Sequence, residues 1–109
     1  LAAQLRVNAA AKAGMSGIEV DSVAREYITE HGYGDAFGHS NGHGIGLEIH
    51  EGPNTSQKAG KVLVPGNVIT NEPGIYLAGL GGVRIEDDLV IRANGNEILT
   101  HSPKELIIL

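Results

Sequence analysis

The sequence predicts an α+β fold, with two helices packed on a curved, mainly antiparallel sheet. Residues before position 32 are rich in helix formers at helical spacing, whereas residues after position 37 carry glycine, proline and alternating apolar positions that suit strands. Asn94-Gly95 between two such stretches marks a hairpin. A length of 109 residues with 41% hydrophobic and 19% charged residues fits a single globular unit with a real core.

Taken in order, residues 1–13 (LAAQLRVNAAAKA) predict a first helix with Leu1, Leu5 and Ala9 on one stripe and Gln4, Arg6, Asn8 and Lys12 mostly off it. Gly14 ends it. MSGIEV has turn and extended character, and Asp21 then serves as N-cap of a second helix, SVAREYITEHG, closed by Gly32 and Gly34. On that helix Val23, Tyr27 and Ile28 are expected to face inward, with Arg25, Glu26, Glu30 and His31 mostly solvated. Glycines at 38, 42, 44 and 46 forbid a stable helix, so His39 and His43 belong to a loop or short strand despite their helical i, i+4 spacing.

Residues 52–66 read as a polar surface connection. Residues 68–76 (VITNEPGIY) read as a strand interrupted at Pro73-Gly74, and 77–82 as a hairpin connection. Residues 83–92 then form a strand with Val83, Ile85, Leu89 and Ile91 on one face, broken by Asp87 on the apolar side. The Asn94-Gly95 turn makes 83–99 a hairpin, and a short segment ends at 106–109.

Composition excludes several function classes. A net charge of -5 with 8 Lys and Arg supplies no basic patch for nucleic acid. The 0 cysteines rule out a disulfide framework and fit a reducing compartment, so the expectation is a cytoplasmic protein. No apolar run approaches the roughly 20 residues of a membrane span, and no signal-peptide pattern opens the chain. Because the first residues already read as mid-helix, the chain is expected to be a piece of a longer protein: a single partial domain over residues 1–109.

Chemistry concentrates between Gly38 and Asp88, where His39, His43, His50, Glu51, Glu72, Glu86, Asp87 and Asp88 occur within about fifty residues. Glu72 lies in an otherwise apolar strand, where an unpaired carboxylate would cost several kcal/mol, so it needs a partner: a metal, Arg84 or backbone N–H groups. Glu86 has the same choice, with Arg84 two residues away on the same face. His43 and His50 taken singly read as hydrogen-bonded or exposed histidines. Taken with Glu72 and Glu86 they fit a metal site, because imidazoles and carboxylates suit a borderline or hard divalent ion. Three ligands, His43, Glu72 and Glu86, do not comfortably hold two ions.

GHGIGLEIHEGP, TNEPGIY and GVRIEDDLVI, in this order and spacing, resemble the C-terminal half of the catalytic domain of the pita-bread metallopeptidases, in the Xaa-Pro dipeptidase (prolidase) and aminopeptidase P group. That resemblance implies a peptidase acting on a proline-containing dipeptide or peptide N-terminus with two divalent ions, manganese first and cobalt or zinc as alternatives. It implies that His43, Glu72 and Glu86 are metal ligands, Glu86 bridging and Glu72 also acting as general base or acid. It gives His50 the tetrahedral intermediate, His39 the substrate pocket near proline, and Arg84 a contact to substrate or to neighbouring carboxylates. Asn71 departs from the apolar residue usual before Glu-Pro and is expected to tune strand packing. The two upstream aspartates of the family have no counterpart before His39, since Asp21 reads as a cap and Asp35 as a turn. The chain alone is therefore expected to be inactive. Competing readings are a non-catalytic pita-bread binding or interaction module, and a half-domain that self-associates. A homodimer mimicking the missing half, through the family's pseudo-two-fold, is the form the last takes.

Overall fold

The structure, a computed structural model, describes residues 1–109. The first helix, α1, spans Ala2–Ala10 and is shorter than the sequence suggests. Its buried stripe is Ala3, Gln4 and Val7, continued by Ala11, whereas Leu1 and Leu5 are exposed. The expected stripe is thus corrected. Small alanines let the helix lie close to the sheet, and the buried Gln4 donates to the Asp87 carboxylate at 2.5 Å, a long-range partner that helical periodicity cannot show.

The second helix, α2, spans Gly17–Glu30, and Ser16 caps it rather than Asp21. The Ser16 hydroxyl accepts from the Glu19 amide while the Glu19 carboxylate accepts from the Ser16 amide, which closes a capping box. Asp21 lies inside the helix, 1% exposed, and is ion-paired to Arg25 four residues on. Val20, Ala24 and Ile28 are the buried apolar positions of α2, with Val23 and Tyr27 packed against the core from its margin. Arg25, expected in solvent, is mostly covered. A single 3₁₀ turn, Gly34–Ala36, leads to the buried Phe37.

Five strands form the main sheet: β1 (Gly42–Gly44), β2 (Glu51–Thr55), β3 (Val68–Asn71), β6 (Asp87–Arg92) and β7 (Gly95–Ile98), in the order β2-β1-β3-β6-β7, with every pairing antiparallel. Two more, β4 (Gly74–Leu77) and β5 (Gly81–Arg84), form a separate ribbon. All of β2 but Glu51 falls inside the stretch read as a surface connection. Its Gly-Pro-Asn composition hides it, and pairing with β1 overrides the weak propensity. The hairpin loop before β7 is Ala93-Asn94, with Gly95 already paired to Arg92, one position from the turn the sequence suggests.

The expected strand 83–92 is divided between sheets, and so is 68–76. Register nevertheless runs unbroken through the break. β3 and β6 pair Asn71 with Asp87, the Ile85 amide reaches the Pro73 carbonyl, and β4 and β5 resume with Gly74 opposite Arg84. Glu72 and Glu86 occupy the step between, opposite one another where the ribbon peels away from the sheet.

Alternation assigns the two faces of the β3–β6 ladder. Ile69, Leu89 and Ile91 are wholly buried beneath the helices together with Val7, Val20, Ala24 and Leu63. Each large apolar side chain so buried contributes about 1.5–3 kcal/mol. Thr70, Glu72, Glu86 and Asp88 belong to the opposite face. No helix is long and apolar enough to cross a membrane.

Candidate functional site

The site is built where β1 meets the peeling ribbon. His43 is the central residue of β1, flanked by Gly42 and Gly44. A side chain at Gly42 would collide with the Thr70 carbonyl, and one at Gly44 with the carbonyls of Glu51 and Gly52, so glycine is needed for β1 to fit between its neighbours. The backbone amide of His43 donates to the Thr70 hydroxyl at 3.0 Å, which fixes the ring's origin on the sheet.

The imidazole orientation follows from one hydrogen bond. His43 Nδ1 lies 2.8 Å from the Gly44 carbonyl, which can only accept, so Nδ1 carries the proton and Nε2 presents a lone pair. That Nε2 faces Glu72 Oε2 at 3.2 Å. An imidazole lone pair and a carboxylate oxygen repel unless a proton or a cation lies between them. This donor set suits a divalent cation, with the Gly44 carbonyl in the outer position that typically fixes the tautomer of a metal-binding histidine.

Glu86 joins from the opposite side of the break, immediately before β6. Like charges directly across an antiparallel pair destabilise it, and here the compensating charge is Arg84, whose Nε lies 3.7 Å from Glu72 and 3.8 Å from Glu86. These are Coulombic contacts, too long for hydrogen bonds, and the Arg84 side chain is half exposed. Burial first, and the adjacent Glu72 carboxylate second, push the Glu86 carboxyl above the usual carboxylate range, with Arg84 opposing. His43 and Glu72 touch directly, and Glu86 is joined to them through Arg84. Nowhere do three His, Asp or Glu side chains converge closely enough to encircle an ion.

A polar cavity of about 360 Å³ opens over this cluster, lined by His39, Ser40, His43, His50, Glu72 and Arg84 among others. The His50 ring packs against His43 from an exposed loop, centroids 4.3 Å apart and planes tilted by 47°. His39 donates from Nδ1 to the Ser40 carbonyl at 2.8 Å, leaving Nε2 to accept from the Tyr76 hydroxyl at 3.1 Å. Arg84 Nη1 stands 3.5 Å from the same hydroxyl. Five of the six sequence-derived candidates, His39, His43, His50, Glu72 and Arg84, therefore share one cavity, and the sixth, Glu86, lies beside it against Arg84.

Sequence reasoning missed Tyr76, which ties His39 to Arg84. A period-two signal was present, since Glu72, Gly74 and Tyr76 alternate along one strand face. Asp87 belongs elsewhere. It lies on the helix side of the sheet and accepts from Gln4, Asn8, Thr100 and Lys104. Burial alone would raise its pKa, and those four donors outweigh that and hold it below the usual range.

Comparison with known proteins places this geometry. The model of metallopeptidase family M24 matches residues 1–93. The chain is 58% identical over 107 residues to an Xaa-Pro dipeptidase of Pyrococcus furiosus, covering 98% of this chain and 31% of that protein. It is 59% identical over 98 residues to an uncharacterised peptidase of Bacillus subtilis, covering 90% of this chain and 28% of the relative. The solved Xaa-Pro dipeptidase from Bacillus anthracis superposes with a TM-score of 0.97 at 60% identity, over 98% of this chain and 30% of that one. The X-Pro aminopeptidase from Thermotoga maritima gives 0.95 at 53% identity, over 99% and 31%. The chain thus spans under a third of the relatives' length. Two helices on a mainly antiparallel sheet match the C-terminal part of the pita-bread fold. With the family model matching residues 1–93 and the fold shared with these dipeptidases, the chain belongs to metallopeptidase family M24.

Proposed function

We propose that this chain supplies three of the metal ligands, His43, Glu72 and Glu86, of a dinuclear peptidase that hydrolyses the bond before proline in dipeptides or peptide N-termini. The observation that carries this reading is the His43 Nε2 lone pair directed at Glu72 Oε2 across 3.2 Å, a contact that a proton or a bound cation must bridge, in a chain of a metallopeptidase family. The name Xaa-Pro dipeptidase borne by the Pyrococcus furiosus relative supports the substrate class. Two divalent ions, manganese first, would supply an activated water and polarise the peptide carbonyl.

The chain's own residues would do the rest. Glu72, mostly covered and anchored by its amide to the Asn41 carbonyl, accepts a proton from the attacking water and returns it to the proline nitrogen as the C–N bond breaks. His50, on the exposed loop beside His43, donates a hydrogen bond to the oxygen that gains charge in the tetrahedral intermediate. His39 lines the proline end of the cavity, and Arg84 binds the substrate or orients Glu72 and Glu86. The upstream aspartates complete the ligand set in the whole protein, and the chain alone is inactive.

The test is a graft. This chain replaces the matched residues of the Pyrococcus furiosus dipeptidase, and hydrolysis of an Ala-Pro dipeptide is followed with manganese. The proposal predicts manganese-dependent cleavage that Glu72→Gln abolishes. A folded graft that binds manganese yet leaves Ala-Pro intact would sink it.

A further inference from the structure

We infer that Arg25, locked by Asp21 on α2, is a positioning residue that sets both His39 and Glu72 through their backbone. The inference rests on the proposed metal-site reading for its purpose and on geometry for its substance.

Residues 38–40 make no backbone–backbone hydrogen bond, although they carry His39 and lead into the strand of His43. One ion pair from α2 takes the place of a ladder. Arg25 donates from Nε to Asp21 Oδ2 at 2.6 Å and from Nη2 to Asp21 Oδ1 at 3.0 Å. Its other N–H groups reach the carbonyls of Phe37 at 2.9 Å and His39 at 2.8 Å, while its plane lies over the Phe37 ring, 4.0 Å from the centroid. Asp21 Oδ1 also accepts the Asn41 amide at 2.9 Å. The segment is therefore gripped at 37, 39 and 41, the period of an extended chain.

The grip extends to the site. The Asn41 carbonyl accepts the Glu72 amide at 2.8 Å, at the point where β3 has ended and the ribbon peels away. Arg25, Asp21, Asn41 and Glu72 thus form one continuous line of hydrogen bonds. Only a planar guanidinium can serve a carboxylate and two carbonyls at once while stacking on a ring, so lysine is not an equivalent.

The test compares the wild-type chain with Arg25→Met and Arg25→Lys by amide hydrogen exchange and by manganese titration. In both variants the Asn41 and Glu72 amides are expected to exchange roughly ten- to a hundredfold faster, the size of losing a charge-assisted hydrogen bond. The Val20 and Ile91 amides should keep their rates, and manganese affinity should fall. Should Arg25→Met fail to fold, Arg25→Lys carries the comparison. Unchanged exchange at Asn41 and Glu72, or full rescue by lysine, would overturn the inference. A wild-type chain that binds no manganese would instead count against the metal-site reading, and the exchange result would still decide the role of Arg25.

Discussion

Asn71 and Asp87, the last pair of the β3–β6 ladder, and Glu72 and Glu86, the next pair of positions beyond it, have opposite fates. Asn71 and Asp87 face the helices and are satisfied within the fold. Asn71 donates to the Gln4 carbonyl at 2.9 Å and to Asn8 Oδ1 at 2.7 Å, and accepts from Asn41, while Asp87 receives four donors. One step along the same register, Glu72 and Glu86 face the cavity with a histidine lone pair and one half-exposed arginine between them. A buried polar group that is fully partnered specifies structure, whereas a group left short of partners marks where a ligand belongs.

The contrast can be broken most severely at Asp87. Asp87→Ala leaves four donors, the buried Gln4 among them, without their acceptor and should cost about 3–5 kcal/mol in urea unfolding. The same carboxylate shapes the acid response. Its folded-state pKa lies below the unfolded value, so its stabilisation is present above the ordinary aspartate range and lost as pH falls through the lowered value. Asp87→Asn should remove that acid limb from a plot of stability against pH. Next in size, Asn71→Leu leaves Asn41 and Asn8 short of partners and should cost about 1–3 kcal/mol by the same unfolding measurement.

Changes on the cavity face should behave oppositely. Glu72→Gln with Glu86→Gln removes a like-charge pair, and stability should hold or rise by roughly 0.2–1 kcal/mol while divalent-metal binding is lost. A large loss of stability would mean that these carboxylates are structural after all. The smallest effect is the titration of Glu86. Its folded-state pKa is raised, so its contribution is full below the ordinary glutamate range and declines as pH rises through the raised value, the reverse of Asp87. Glu86→Gln should flatten that decline, read from unfolding midpoints across the weakly acidic range.

Much of this was legible in the sequence. Both helices, the strand interruption at Pro73-Gly74 and the clustering of His39, His43, His50, Glu72 and Arg84 follow from local pattern and ordered motifs. The Ser16-Glu19 capping box was present to be read, and weighting Asp21 as the cap obscured it. The role of Arg25 was not legible, because its spacing to Asp21 suggests only a surface pair and its decisive acceptors are carbonyls 12 and 14 residues away. The sequence places Gln4 off the buried stripe and gives Asn71 only a part in strand packing, because the partners that bury them lie 83 and 67 residues off in the chain. The break between the sheets was half legible. Proline and glycine mark it on one strand, while Ile85-Glu86 on the other carries no breaker and separates because its partner does.

The most direct test of whether the cavity face is a preformed metal half-site is isothermal titration of manganese into this chain beside a Glu72→Ala, Glu86→Ala double variant. Saturable binding with a dissociation constant on the order of micromolar or tighter, absent from the double variant, is the predicted result. No saturable binding, or binding that the double variant retains, would contradict it.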